Sequence, residues 1–103
     1  MIYKEIQAAY WQEFPDQGAY FLIYPNGDKD WCLDGLFHRT DGPATESQNG
    51  YKEWCINGKL HRTDGPAIEG ANENKQWYLN DIEYTEEEYE EAVEIWKLKE
   101  QII

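Results

Sequence analysis

Three tryptophans, Trp31, Trp54 and Trp77, stand 23 residues apart and then 23 again, and the residues around them repeat in phase. Asp28-Lys29-Asp30-Trp31-Cys32-Leu33-Asp34-Gly35 is matched by Tyr51-Lys52-Glu53-Trp54-Cys55-Ile56-Asn57-Gly58, and more loosely by Asn74-Lys75-Gln76-Trp77-Tyr78-Leu79-Asn80-Asp81. A period this short describes one supersecondary element that cannot bury a face alone and must stack on its neighbour. Within a unit the grammar is that of strands and tight turns. Lys52-Glu53-Trp54-Cys55-Ile56 alternates polar and apolar residues. Asn57-Gly58 suits a two-residue hairpin turn, whose central positions both need positive φ, and Lys59-Leu60-His61 resumes an extended segment. Asp41-Gly42-Pro43 and Asp64-Gly65-Pro66 add polar corners, and Pro25-Asn26-Gly27 and Gln48-Asn49-Gly50 add further turns.

The unit runs out at both ends, so caps are needed. Thr85 with Glu88 three residues on forms a capping box, and Glu86, Glu87 and Glu88 sit where the helix dipole favours negative charge. Tyr89, Ala92, Val93 and Trp96 share one face, which predicts a helix over about 86–100 closing the sheet end. Ile2, Ile6, Ala9 and Tyr10 are spaced for a shorter helix ahead of a strand over 19–24. The expectation is a single α+β domain, mainly β: an elongated antiparallel sheet of tandem hairpins (19–84), an N-terminal cap (1–18) and an acidic C-terminal helix (85–103).

The unit W-[CY]-x-[ND]-G-x-x-H-R-x-D-G-P-A, with a last copy running into Tyr84-Thr85-Glu86-Glu87-Glu88-Tyr89-Glu90-Glu91-Ala92, resembles the short hairpin-repeat proteins of tailed bacteriophages, which are related to MORN-type repeats. The resemblance covers residues 20–92. It implies a phage-encoded accessory protein built on an antiparallel sheet of hairpins. The third unit departs from the pattern, with Tyr84-Thr85 in place of His-Arg and Asp81 in place of the turn glycine, which reads as the end of the array.

His38-Arg39-Thr40-Asp41-Gly42-Pro43-Ala44 recurs unchanged at His61 to Ala67. A histidine and an aspartate are the residue types of a metal site or a general base. Equivalent residues of successive hairpins lie two strands apart, roughly 10 Å, whereas zinc needs its ligands about 2 Å from one ion. The copies therefore make two half-sites of two ligands each, and the heptapeptide reads as a scaffold corner. The same spacing exceeds the roughly 7 Å limit for a disulfide, so Cys32 and Cys55 are expected as buried thiols at parallel core positions. The tryptophans suit core packing at a fixed repeat position, the alternative being a platform for stacked bases. No phosphate-binding glycine loop and no nucleophile beside a base is present, so no catalytic residue, cofactor site or metal site is assigned and the chain is read as no enzyme.

The 103 residues carry a net charge of -12, which argues against direct binding to nucleic acid or an anionic membrane and favours a basic partner. No apolar run approaches a membrane span, and the basic start of a signal peptide is missing, so a cytoplasmic place, that of the host cell for a phage protein, is expected. The charge is uneven: residues 81–103 hold nine acids and two lysines, the rest twelve acids and seven bases. Partner binding is assigned to the helix, through Glu87, Glu91 and Glu94 with Ile95 and Leu98, which form with Ile102 a second apolar stripe. The function expected is a counter-defence inhibitor whose acidic face blocks a basic host or defence protein that handles nucleic acid, with Asp28, Asp30, Glu46, Glu53 and Glu73 adding charge. Two other classes stand beside it. One is a sponge for a nucleotide signal using Arg39, Arg62, Lys59 and Lys75, with a homo-oligomer formed through the C-terminal helix; the other is a structural assembly module.

Overall fold

The structure, a computed structural model, describes residues 2–8 and 14–102. Eleven short strands and one helix are found among the described residues, arranged as a slab 41 × 36 × 18 Å. Three hairpins recur in phase with the tryptophans: β3 (Lys29–Leu33) with β4 (Leu36–Phe37), β7 (Cys55–Ile56) with β8 (Lys59–Leu60), and β10 (Lys75–Leu79) with β11 (Ile82–Tyr84). Their turns place both central residues at positive φ, 51° and 80° at Asp34-Gly35, 51° and 79° at Asn57-Gly58, 48° and 68° at Asn80-Asp81. Asp81 thus preserves the turn that glycine makes elsewhere, because a short polar side chain tolerates the left-handed region. Loss of that glycine does not end the series.

The remaining strands join the hairpins through a second set of pairings. Strand β3 divides its partners at Trp31: Lys29 and Asp30 face β5 (Thr45–Glu46), while Cys32 and Leu33 face β4. In the next unit the strand is interrupted at Trp54 into β6 (Lys52–Glu53), which lies between β5 and β9 (Ile68–Glu69), and β7. The backbones of Trp31 and Trp54 serve both sides. The Trp31 N–H donates to the Ala44 carbonyl at 2.7 Å and its carbonyl accepts from the His38 N–H at 2.9 Å; Trp54 does the same with Ala67 and His61 at 2.8 and 3.0 Å. The heptapeptide is the segment that crosses this fork, and its last residue, Ala44 or Ala67, is fully buried inside it.

Residues 4–7, expected as part of a helix, form instead strand β1 (Lys4–Gln7), parallel to β2 (Ala19–Ile23), with Ile6 opposite Leu22. The physical reason is a period of two: Ile6 and Ala8 both pack into a cluster with Tyr20, Leu22 and Cys32, so the apolar positions alternate instead of following a helical turn. Ala9 and Tyr10 lie outside the described residues. The main sheet runs β1-β2-β3-β5-β6-β9-β10-β11, antiparallel apart from the first pair.

Helix α1 (Glu86–Ile102) packs across a face of the last hairpin instead of closing the edge of the sheet. Its capping box is made: the Thr85 N–H donates to Glu88 Oε1 at 3.0 Å and the Glu88 N–H to Thr85 Oγ1 at 3.1 Å. Tyr89 and Val93 are buried against Leu79, with Trp77, Tyr84, Ala92 and Trp96 around them. The two apolar clusters therefore sit at opposite ends of the slab, and between them the forks are filled by the corners.

Candidate functional site

The two corners share one internal geometry. The Arg39 guanidinium lies 3.9 Å from the centre of the Trp31 ring, donates from Nε to Asp41 at 2.9 Å and from Nη1 to the Pro43 carbonyl at 3.1 Å, and reaches Glu46 at 3.5 Å. Arg62 lies 3.8 Å from the Trp54 ring and repeats these contacts with Asp64 at 2.9 Å, Pro66 at 2.9 Å and Glu69 at 3.7 Å. A planar guanidinium stacked on an indole and hydrogen-bonded at its edge is held in place more firmly than an exposed ion pair, because the ring excludes water from one side. Arg39 holds the Asp41 carboxyl below its usual pKa through that hydrogen bond. The glycine in each corner leaves room for the arginine: a Cβ on Gly42 or Gly65 would lie 2.8 or 2.9 Å from the guanidinium carbon, so the guanidinium would have to shift from its place on the indole. Its left-handed freedom, the reason a turn suggests, is not used, since neither glycine has positive φ.

Both histidines are buried, at 7 % and 9 % exposure, and each uses Nδ1 as an acceptor. His38 receives the Asn57 N–H at 3.0 Å and His61 the Asn80 N–H at 3.1 Å. Each imidazole thus locks the first turn amide of the following hairpin, a role for neutral histidine that needs no metal. Among the described residues no three His, Cys, Asp or Glu side chains are grouped as a metal ion would require. Cys32 and Cys55 are free and buried, and burial pushes their thiols up to about 11 and about 12, so neither is an activated nucleophile. A groove of about 500 Å³ separates the corners, lined by Arg39, Asp41, Trp54, Arg62 and Asp64 among others. Its two guanidiniums each carry two carboxylates at salt-bridge distance, so Arg39 and Arg62, two of the four cations named for a nucleotide, are already paired.

The helix presents a different surface. Glu87, Glu91 and Glu94 are all exposed on the side opposite Tyr89 and Val93, with Ile95 and Leu98 at 49 % and 59 % exposure beside them. All five partner-binding residues assigned from the sequence are therefore on the surface, and on one helix they form one acidic strip with apolar ends. No protein-family model, no curated protein and no solved structure matches the chain.

The auxiliary acids are less uniform. Glu73 is exposed, but Glu46 is engaged by Arg39, Glu53 accepts from the Tyr51 hydroxyl at 3.1 Å, and burial raises the pKa of the half-buried Asp30. Sequence reasoning missed one element of this end of the molecule. The hairpin before the helix leaves Ile82 58 % exposed, and Ile82 and Tyr84 line a groove of about 310 Å³ with Ala92, Ile95 and Lys99. Ile82 stands at the position of Leu36 and Lys59 in the earlier units, and that loss of polarity relative to Lys59 was the available signal.

Proposed function

We propose that the protein is a non-catalytic, phage-encoded accessory module that uses its acidic helix to occupy the basic surface of a host or defence protein that handles nucleic acid, so that substrate is kept away. The observation that carries this reading is the segregation of α1: Tyr89 and Val93 are buried while Glu87, Glu91 and Glu94 all face solvent with Ile95 and Leu98. Carboxylates in a row raise the association rate with a basic cleft, and the apolar pair supplies burial that charge alone does not. The phage origin rests on the resemblance of the Trp-to-Ala unit. The cytoplasm of the infected cell is the place such an inhibitor would act, and no helix among the described residues is long and apolar enough to cross a membrane.

Charge density sets the scale. The seven glutamates and two lysines of 86–100 amount to one net charge per roughly 4–5 Å of helix, against one per about 1.7 Å in duplex DNA. The helix competes for a basic surface without copying the duplex, and exposed Glu73 and Glu83 extend the field around it.

The test is affinity capture from a bacterial lysate with the intact protein and with Glu87→Lys, Glu91→Lys and Glu94→Lys combined, at two salt concentrations and with added DNA. A nucleic-acid-handling protein retained by the intact chain, released by salt and displaced by DNA is the expected result. Capture that is unchanged by the charge reversal or indifferent to salt would sink the reading.

A further inference from the structure

We propose that the outer edge of β11, roofed by the near flank of α1, is a docking site for an extended, basic segment of another protein that joins the sheet as its next strand. The proposal rests on the reading above in taking the partner to be basic, but it puts the contact on the strand edge instead of the outward helix face.

The edge is legible from the two hairpins before it. A two-residue turn makes Leu79 and Ile82 a hydrogen-bonded pair, so the next pair, Tyr78 and Glu83, is non-bonded, and the Glu83 N–H and carbonyl point away from β10. The residues at the same position in the earlier units are Phe37 and Leu60. The Phe37 carbonyl accepts the Gly58 N–H at 2.8 Å, and the Leu60 carbonyl accepts the Asp81 N–H at 2.9 Å. Two residues further on, the Arg39 N–H donates to the Cys55 carbonyl at 3.1 Å and the Arg62 N–H to the Tyr78 carbonyl at 3.2 Å. Each hairpin therefore receives the following one along this edge. At β11 the series stops. The Thr85 N–H, which corresponds to those of Arg39 and Arg62, is consumed by Glu88 in the capping box, and the Glu83 carbonyl has no backbone partner among the described residues. Strand β11 is the last in the sheet order.

What lies beside the edge decides the occupant. Helix positions 92, 95 and 99 form one stripe, and the groove they share with Ile82 and Tyr84 is mainly apolar. An added strand would place alternate side chains into that groove and the others on the opposite face of the sheet, toward the exposed carboxylate of Glu83. The fitting sequence alternates apolar and basic residues. A second copy of this chain fits poorly, because each carries a net charge of -12 and pairing β11 with itself brings Glu83 and the helix carboxylates of both copies together.

The probe is a short, end-blocked peptide of alternating lysine and isoleucine, with two analogues: one N-methylated on the backbone of every lysine, the other on every isoleucine. In an antiparallel pair only alternate residues direct their N–H to the neighbour, so one analogue is expected to lose binding by about tenfold or more and the other to keep it. Bound peptide should slow hydrogen exchange at the Glu83 amide. Glu83→Pro removes the outward N–H without breaking a backbone bond to β10, though it deletes the exposed side-chain bond from Gln76 Nε2 at 3.4 Å, and should weaken the probe by about tenfold with a small change in melting temperature. Reversal of Glu87, Glu91 and Glu94 should change probe binding by less than about threefold, since those carboxylates face outward. The proposal is overturned if both analogues bind like the parent, if the parent does not bind, or if the charge reversal abolishes binding while Glu83→Pro does not. The last outcome would leave the outward helix face standing as the binding surface.

Discussion

The two copies of the heptapeptide are identical in sequence and in internal contacts, yet they sit under different roofs. Over the first corner, the Tyr3 hydroxyl from the N-terminal segment donates to the His38 carbonyl at 2.9 Å. Over the second, α1 supplies two side chains: the Tyr89 hydroxyl donates to the Arg62 carbonyl and accepts from the Gly65 N–H, and the Trp96 ring packs 4.9 Å from His61. The first corner is a joint between hairpins; the second is a joint and also the seat of the helix. The local structure of a seven-residue segment is thus set by its own residues, while its function in the fold is set by what the chain places above it.

The largest test of that difference is Trp96→Ala. It removes a half-buried ring from His61 and should cost about 2 kcal/mol in denaturant unfolding, less than a fully buried tryptophan would. Hydrogen exchange should accelerate at the Asn80 amide and not at Asn57; equal acceleration at both would mean that the joints are not independent. Gly42→Ala and Gly65→Ala come next, at about 1–2 kcal/mol each, because the added methyl displaces a guanidinium held by its tryptophan. Their costs should agree closely, and a clear inequality would show that the helix tightens the second corner internally. Tyr89→Phe should cost about 1–1.5 kcal/mol and Tyr3→Phe about 0.5–1, since Tyr89 is buried and makes two hydrogen bonds while Tyr3 makes one.

The smallest effect is that of acid. Burial lowers the pKa of His61, with Glu100 opposing it. The folded value then lies below the unfolded one, so the full contribution is present above the ordinary histidine value of about 6.5 and is lost as pH falls through that value toward the folded pKa. Protonation also turns Nδ1 into a donor and breaks its bond from the Asn80 N–H. Proton NMR of the imidazole should place the His61 midpoint below 6.5. A midpoint above it would contradict the burial argument.

Much of this was legible in the chain. The turns and the Thr85-Glu88 cap depend on neighbours one to four residues away, and both appear where the pattern puts them; the alternation around Trp54 gives strand on either side of that residue but not the break at it. The acidic strip was legible for the same reason, since helical spacing alone brings Glu87, Glu91 and Glu94 to one side. The N-terminal strand was not, because Ile2 and Ile6 satisfy a helical spacing as well as a period of two, and only the pairing with β2 selects between them. Nor was the purpose of Gly42 and Gly65, whose neighbour is a side chain folded back from within the same corner.

By itself, then, the sequence determined the hairpins, the corners and the charged helix, because those follow from short-range sterics and hydrogen bonding. Tertiary structure alone decided that the sheet divides at each tryptophan, that two identical histidines have different surroundings, and that β11 ends with an open edge beside an apolar groove. Each of these depends on segments that meet only after folding, and no local pattern records which partner a backbone amide will find.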